Sequence, residues 1–136
     1  MSDNNKALVI EDNVEIACWL EELLGSRGFE VVFSKDGLDG LERAKAEKPA
    51  LVVLDFFLPA LDGCYVSAFI RRNKITQQTK ILAVSTRTTS EMHQLLEDAG
   101  IDLFIHLDSK FKSEGSRKEV LEKLNQLIPL EANAPR

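Results

Sequence analysis

Cysteine is scarce in this chain. Cys18 and Cys64 stand far apart, with no Cys-x-x-Cys. They offer no disulfide framework, and both read as reduced thiols of a cytoplasmic protein. Long apolar runs are missing too. The longest, Ala50 to Leu54 and Phe56 to Leu61, are separated by Asp55 and cut by Pro59. Neither approaches the ~20 residues a bilayer requires, so no membrane partner is expected. The opening Met1-Ser2-Asp3-Asn4-Asn5-Lys6 is polar and carries an acid, the wrong start for a signal peptide. A basic excess is also absent. Seventeen Lys and Arg face 22 Asp and Glu, for a net charge of −5 and a pI near 5.1. Such a chain has no electrostatic footprint for nucleic acid or anionic lipid. Repeats, linkers and low-complexity stretches do not occur.

What is present is an ordinary globular composition. Hydrophobic residues make up 44% and charged residues 29% of 136 positions, which excludes intrinsic disorder. The length suits one domain with a full core. Short apolar runs alternate with longer amphipathic ones. Lys6 to Ile10 reads as a first strand and stops at Glu11-Asp12. Asn13 caps a helix whose stripe is Ile16, Leu20, Leu23 and Leu24, closed by Gly25 and Gly28. Phe29 to Phe33 is a second strand, and Asp36 caps a helix carrying Leu38, Leu41 and Ala44. Ala50 to Leu54 is a continuous apolar run, as for a strand covered on both faces. Pro59 to Gly63 is a turn cluster, followed by a helix with Val66, Phe69 and Ile70. Lys80 to Val84 is a fourth strand ending at Ser85. Met92, Leu95, Leu96 and Ala99 stripe a fourth helix, closed by Gly100. Asp102 to Leu107 is a fifth strand. Ser116-Arg-Lys-Glu119 has the form of a capping box for a last helix, with Val120, Leu121, Leu124, Leu127 and Ile128 as its buried stripe. Residues 1–129 are expected to form one domain, and 130–136 a tail with nothing to bury.

Five strand–helix pairs in strict alternation imply an α/β fold, a doubly wound parallel sheet with helices on both faces. Periodicity leaves the strand order open. Ligands of such sheets bind at the carboxyl ends of the strands, where the order reverses. There the sequence places Glu11 and Asp12 after the first strand, Asp55 after the third, and Ser85 at the end of the fourth. If the first and third strands are neighbours, three carboxylates converge. Their mutual repulsion calls for a cation, and a hard divalent ion such as Mg²⁺ suits oxygen ligands beside phosphate. A helix cap would account for Asp12 alone. It does not account for Asp55, which sits between two strongly apolar runs and is followed by no helix.

With these residues in place, the chain resembles the receiver domains of bacterial two-component response regulators, in particular the single-domain, chemotaxis-regulator-like kind. The likeness covers residues 6 to about 128. It is carried by Leu54-Asp55-Phe-Phe-Leu58-Pro59-Ala-Leu-Asp62-Gly63, by Val9-Ile10-Glu11-Asp12-Asn13, by Ala83-Val84-Ser85 and by Gly100-Ile-Asp102-Leu-Phe104. The resemblance implies a flavodoxin-like sheet of order 2-1-3-4-5. It makes Asp55 the phosphoacceptor for a phosphoryl group from a sensor histidine kinase or phosphotransfer protein. It assigns Mg²⁺ to Asp12, Asp55 and the Phe57 carbonyl, with Glu11 acting through a metal-bound water. Ser85 and Phe104 become switch residues that couple the site to a protein-binding face, and the output goes to a downstream protein effector. The domain is then a signalling phosphoacceptor in a phosphorelay rather than an enzyme. An aspartyl phosphatase would share the intermediate, but it usually carries Asp-x-Asp, and Phe56-Phe57 follow Asp55 here.

Two positions depart from the family pattern. The lysine expected at the end of the fifth strand, seven residues after Gly100, is Leu107. Lys110 is close enough along the chain to be folded back, and is expected to supply whatever cation reaches the site. Thr86 replaces a small residue beside the switch hydroxyl, where it would contact phosphate or narrow the access to Asp55. These departures carry the alternative reading, a pseudo-receiver that keeps the fold as a phosphorylation-independent docking module. Elsewhere the expectations are plain. Trp19 packs in the core, His93 and His106 are structural or interfacial, and Arg71-Arg72-Asn73-Lys74 is a solvated helix end.

Overall fold

The computed structural model describes residues 4–58, 61–86, 92–107 and 111–129, with Met92 and His93 described in backbone only. Along the chain run β1 (Lys6–Ile10), α1 (Val14–Ser26), β2 (Glu30–Ser34), α2 (Gly37–Glu47), β3 (Leu51–Asp55), α3 (Gly63–Arg72), β4 (Lys80–Ser85), α4 (Met92–Asp98), β5 (Leu103–His106) and α5 (Glu114–Leu127). The five strands form one parallel sheet of order β2-β1-β3-β4-β5. This is the flavodoxin-like order, and the chain reverses direction between β1 and β3.

The central strands are apolar on both faces because both are covered. On one face Ala7, Val9, Leu51, Val53, Leu82 and Val84 pack with α1 and α5 through Leu20, Leu23, Leu24, Val120 and Leu124. On the other, Leu8, Ile10, Val52, Leu54 and Ile81 meet Ala44, Val66 and Ile70 of α2 and α3. A smaller cluster of Phe56, Ala83 and Leu96 lies under α4, with Phe57 and Phe104 against it. Trp19 is core, 8% exposed, with its ring edge-on to Phe111 at 5.4 Å.

The helix starts follow local chemistry. The side chains of Asn13, Asp36 and Asp62 accept the N–H groups of Ile16, Asp39, and Cys64 with Tyr65. One start differs from the sequence reading. α5 begins at Glu114 with Ser113 as its cap, so Ser116 is the donor whose N–H reaches Ser113 Oγ at 3.1 Å. A Ser lies three residues before Ser116 as well, and the earlier hydroxyl takes the role. Leu38, Phe69 and Leu95 sit at helical spacing with buried partners yet are 61%, 47% and 44% exposed.

Arg71 is not part of a solvated end. Its guanidinium donates to the carbonyls of Gly100, Gln77 and Thr79 and, at 2.6 Å, to Asp102 Oδ2, which also accepts the Ile81 N–H. The residue fastens α3 to the α3–β4 turn and to the start of β5. The expected tail at 130–136 lies outside the described residues, as does Lys110.

Candidate functional site

The site follows from strand register. Ile10 pairs with Leu54, so Glu11 and Asp12 emerge beside Asp55 at the carboxyl edge of the sheet. Asp55 pairs with Val84, which brings Ser85 alongside. Oxygen atoms of Glu11, Asp12 and Asp55 lie within 4.8 Å of one another. They line a cleft of about 350 Å³ whose walls include Phe57, Ser85, Thr86, Ile16, Asn13, Val84 and Leu107.

Each acid has its own setting. Glu11 is only 6% exposed, its N–H donates to the Ser34 carbonyl at 2.9 Å, and its Oε2 accepts the Asn13 N–H at 3.2 Å. Asp12 is exposed and Asp55 half-buried. Asp55 Oδ1 accepts the Phe57 N–H at 3.0 Å, a turn that orients the carboxylate toward the cleft. Gly63 holds the backbone behind it. A Cβ there would stand 2.9 Å from Phe56 Cα and 3.0 Å from the Asp55 carbonyl oxygen, so only glycine admits so close an approach of α3.

The Glu11 carboxyl is pushed up to about 8, first by burial and then by the charge of Asp55. The Asn13 N–H pulls the other way and is outweighed; a hydrogen bond with Asp55 and the charge of Asp12 raise it further. None of the described residues lining the cleft is a cation. Leu107 occupies the β5 wall. It is 1% exposed, and its N–H donates to the Ser85 carbonyl at 2.7 Å.

A family model described as "Response regulator receiver domain" matches residues 7–113. The chain belongs to that family. Protein PilG of Pseudomonas aeruginosa is 31% identical over 128 residues, which cover 94% of this chain and 90% of PilG. The alkaline phosphatase synthesis transcriptional regulatory protein PhoP of Bacillus subtilis is 40% identical over 72 residues. That stretch is 53% of this chain and 30% of PhoP, so the receiver answers to only part of that longer regulator. Among solved structures, the receiver domain of sensor histidine kinase PA1611 from Pseudomonas aeruginosa superposes with a TM-score of 0.78 at 22% identity. It covers 93% of this chain and 99% of that one, and at this identity the likeness is one of fold. That structure carries a magnesium ion coordinated in its active-site cleft.

Receiver domains are signalling domains of two-component systems, and the residues singled out in the sequence fall into the receiver fold as follows. Glu11, Asp12, Asp55, Phe57, Ser85 and Thr86 line one cleft. Phe104 does not line it. It pairs with Ala83 on β4 and packs in the cluster that holds Phe56 and Phe57, directly after Asp55. Lys110 lies outside the described residues. Asn13 was read as a helix cap alone, yet it also supplies the N–H that holds Glu11. Its place next to the acid pair was the available signal. Cys18 and Cys64 form no disulfide. Among the described residues, no helix is long and apolar enough to cross a membrane.

Proposed function

We propose that this receiver takes a phosphoryl group onto Asp55 from the phosphohistidine of a sensor kinase or phosphotransfer protein, in a Mg²⁺-dependent reaction. The observation that carries this is the meeting of Glu11, Asp12 and Asp55 in one cleft with no lining cation among the described residues. Three oxygen donors within 4.8 Å of one another, one of them on a buried acid, fit a hard divalent ion. Asp12, Asp55 and the Phe57 carbonyl would hold it, and Glu11 would act through a bound water. When bound, the ion neutralises charge between the carboxylate and the incoming phosphate.

The residues of the chain do the rest. Asp55 is the nucleophile. Its carboxylate oxygen forms the new P–O bond as the P–N bond to the histidine breaks, and the imidazole leaves with the bonding pair. The Phe57 N–H fixes the orientation of the carboxylate for an in-line approach. Ser85 donates its hydroxyl to a phosphoryl oxygen, Thr86 borders the access, and Phe104 relays the change through the Phe56–Phe57 cluster. The output goes to a downstream protein effector, and the domain spans residues 1–129.

Incubation with Mg²⁺ and a small phosphodonor should add one phosphate by intact mass, and Asp55→Asn should abolish it. No mass shift in the wild type under saturating donor overturns the proposal. One observation favours a second reading. Leu107 presents an apolar wall to the cleft, as a phosphorylation-independent docking module would tolerate. That reading wins if Asp55→Asn supports signalling in cells as well as wild type does.

A further inference from the structure

The solvent face of α3 is aromatic where a solvated face would be polar. Tyr65 and Phe69, one turn apart, are 59% and 47% exposed. Leu38 of α2 is 61% exposed, and Leu41 and Phe69 line the seam between α2 and α3. Exposed aliphatic and aromatic side chains grouped in this way mark an interaction surface rather than scattered surface apolarity. The face stands apart from the cleft, whose lining includes no residue of α2 or α3.

The charges at its ends are opposite. Asp62 precedes the first turn, where it caps the helix, and Arg72 closes the last. Both are exposed, and Arg72 has no ion-pair partner among the described residues. The order Asp62, Tyr65, Phe69, Arg72 is symmetric about position 67. Laid antiparallel on a copy of itself, the helix sets Asp62 against the copy's Arg72 and Tyr65 against the copy's Phe69. A two-fold interface needs this reciprocity, in which residue i meets j and j meets i. Antiparallel helices also oppose their macrodipoles favourably.

We propose that the α3 face is a self-association surface, its occupant the α3 face of a second copy of this chain. The interface is of the small, reversible class. It leaves the cleft open and does not depend on phosphorylation. The test is sedimentation velocity of the full chain from 10 µM to 1 mM (about two decades, enough to populate a weak dimer). The expected result is a concentration-dependent rise toward twice the monomer mass. Phe69→Glu and Arg72→Glu should each raise the dissociation constant at least ~10-fold, with unchanged circular dichroism. Asp55→Asn should associate as wild type does, which separates this proposal from the phosphoacceptor reading. A wild type that stays monomeric at 1 mM overturns the proposal. So does a dimer that survives both Phe69→Glu and Arg72→Glu.

Discussion

Glu11→Gln should remove a pH dependence that metal-free wild type displays. Glu11 has a carboxyl pushed up to about 8 in the folded protein, against an ordinary value of 4.5 in the unfolded chain. Between those values the folded state binds the extra proton. Stability therefore falls as pH rises through this window, and the penalty is complete above about 8. The slope can reach about 1.4 kcal/mol per pH unit, and screening by water in an open cleft leaves a total on the order of 3 kcal/mol. For a domain of this size that is roughly 10 °C in melting temperature. Glutamine keeps the shape of Glu11 and has no proton to lose. In EDTA, urea midpoints of wild type should drop from pH 5 to pH 8, while the Glu11→Gln midpoints should stay nearly level after the common background is subtracted. Mg²⁺ favours the charged acids, so its stabilising effect on wild type should grow across the same window by mass action. Parallel pH profiles for the two proteins in EDTA would refute the claim that Glu11 burial beside Asp55 sets the electrostatics of the cleft.

Leu107→Lys places a cation among the three acids. Mg²⁺ should then raise the melting temperature by roughly half as much as in wild type or less, since the lysine already relieves the repulsion; an unchanged Mg²⁺ shift shows that the side chain does not reach the cleft. Lys110→Ala tests the expectation that Lys110 supplies the missing charge, and phosphorylation of Asp55 should slow; a rate equal to wild type removes Lys110 from the site. Arg71→Met strands the carbonyls of Gly100, Gln77 and Thr79 and unpairs Asp102, so urea unfolding should show a loss of about 2–4 kcal/mol. Gly100→Ala combines a φ of +77° with a Cβ 2.6 Å from Arg71 Cγ, and should cost about 1–3 kcal/mol by the same assay.

The sheet was legible because its signals are local and repeated. Ala50 to Leu54 has no polar residue in it, and only a strand covered on both faces accepts that. Asn13 and Asp36 precede amphipathic stripes and cap them as read. Boundaries drifted where two chemistries competed for one place. Ser113 and Ser116 can both cap a helix, and spacing alone does not choose. Arg71 shows the opposite failure. In sequence it is one of a basic run, and its partners at Gln77, Thr79, Gly100 and Asp102 come from a later turn, the end of α4 and the approach to β5. No periodicity announces a side chain that satisfies backbone groups contributed by distant elements.

The candidate site was legible for a different reason, the improbability of one residue. An acid at the end of a continuous apolar strand, with no helix behind it to cap, stands out from its surroundings. Asp55 Oδ1 accepts the Phe57 N–H from two residues on, a bond that orients the group. Glu11 is the complement. It is buried, held by Asn13 and pressed by the charge of Asp55, so each carboxylate raises the cost of the other. A fold gains no stability from such an arrangement, and an apolar residue at either position would relieve it. What sequence alone could not supply was the strand order. Glu11 and Asp55 repel only because β1 and β3 are neighbours. Glu11, Asp12 and Asp55 stand where a cation could be held, and Leu107 puts an apolar side chain on the wall beside them.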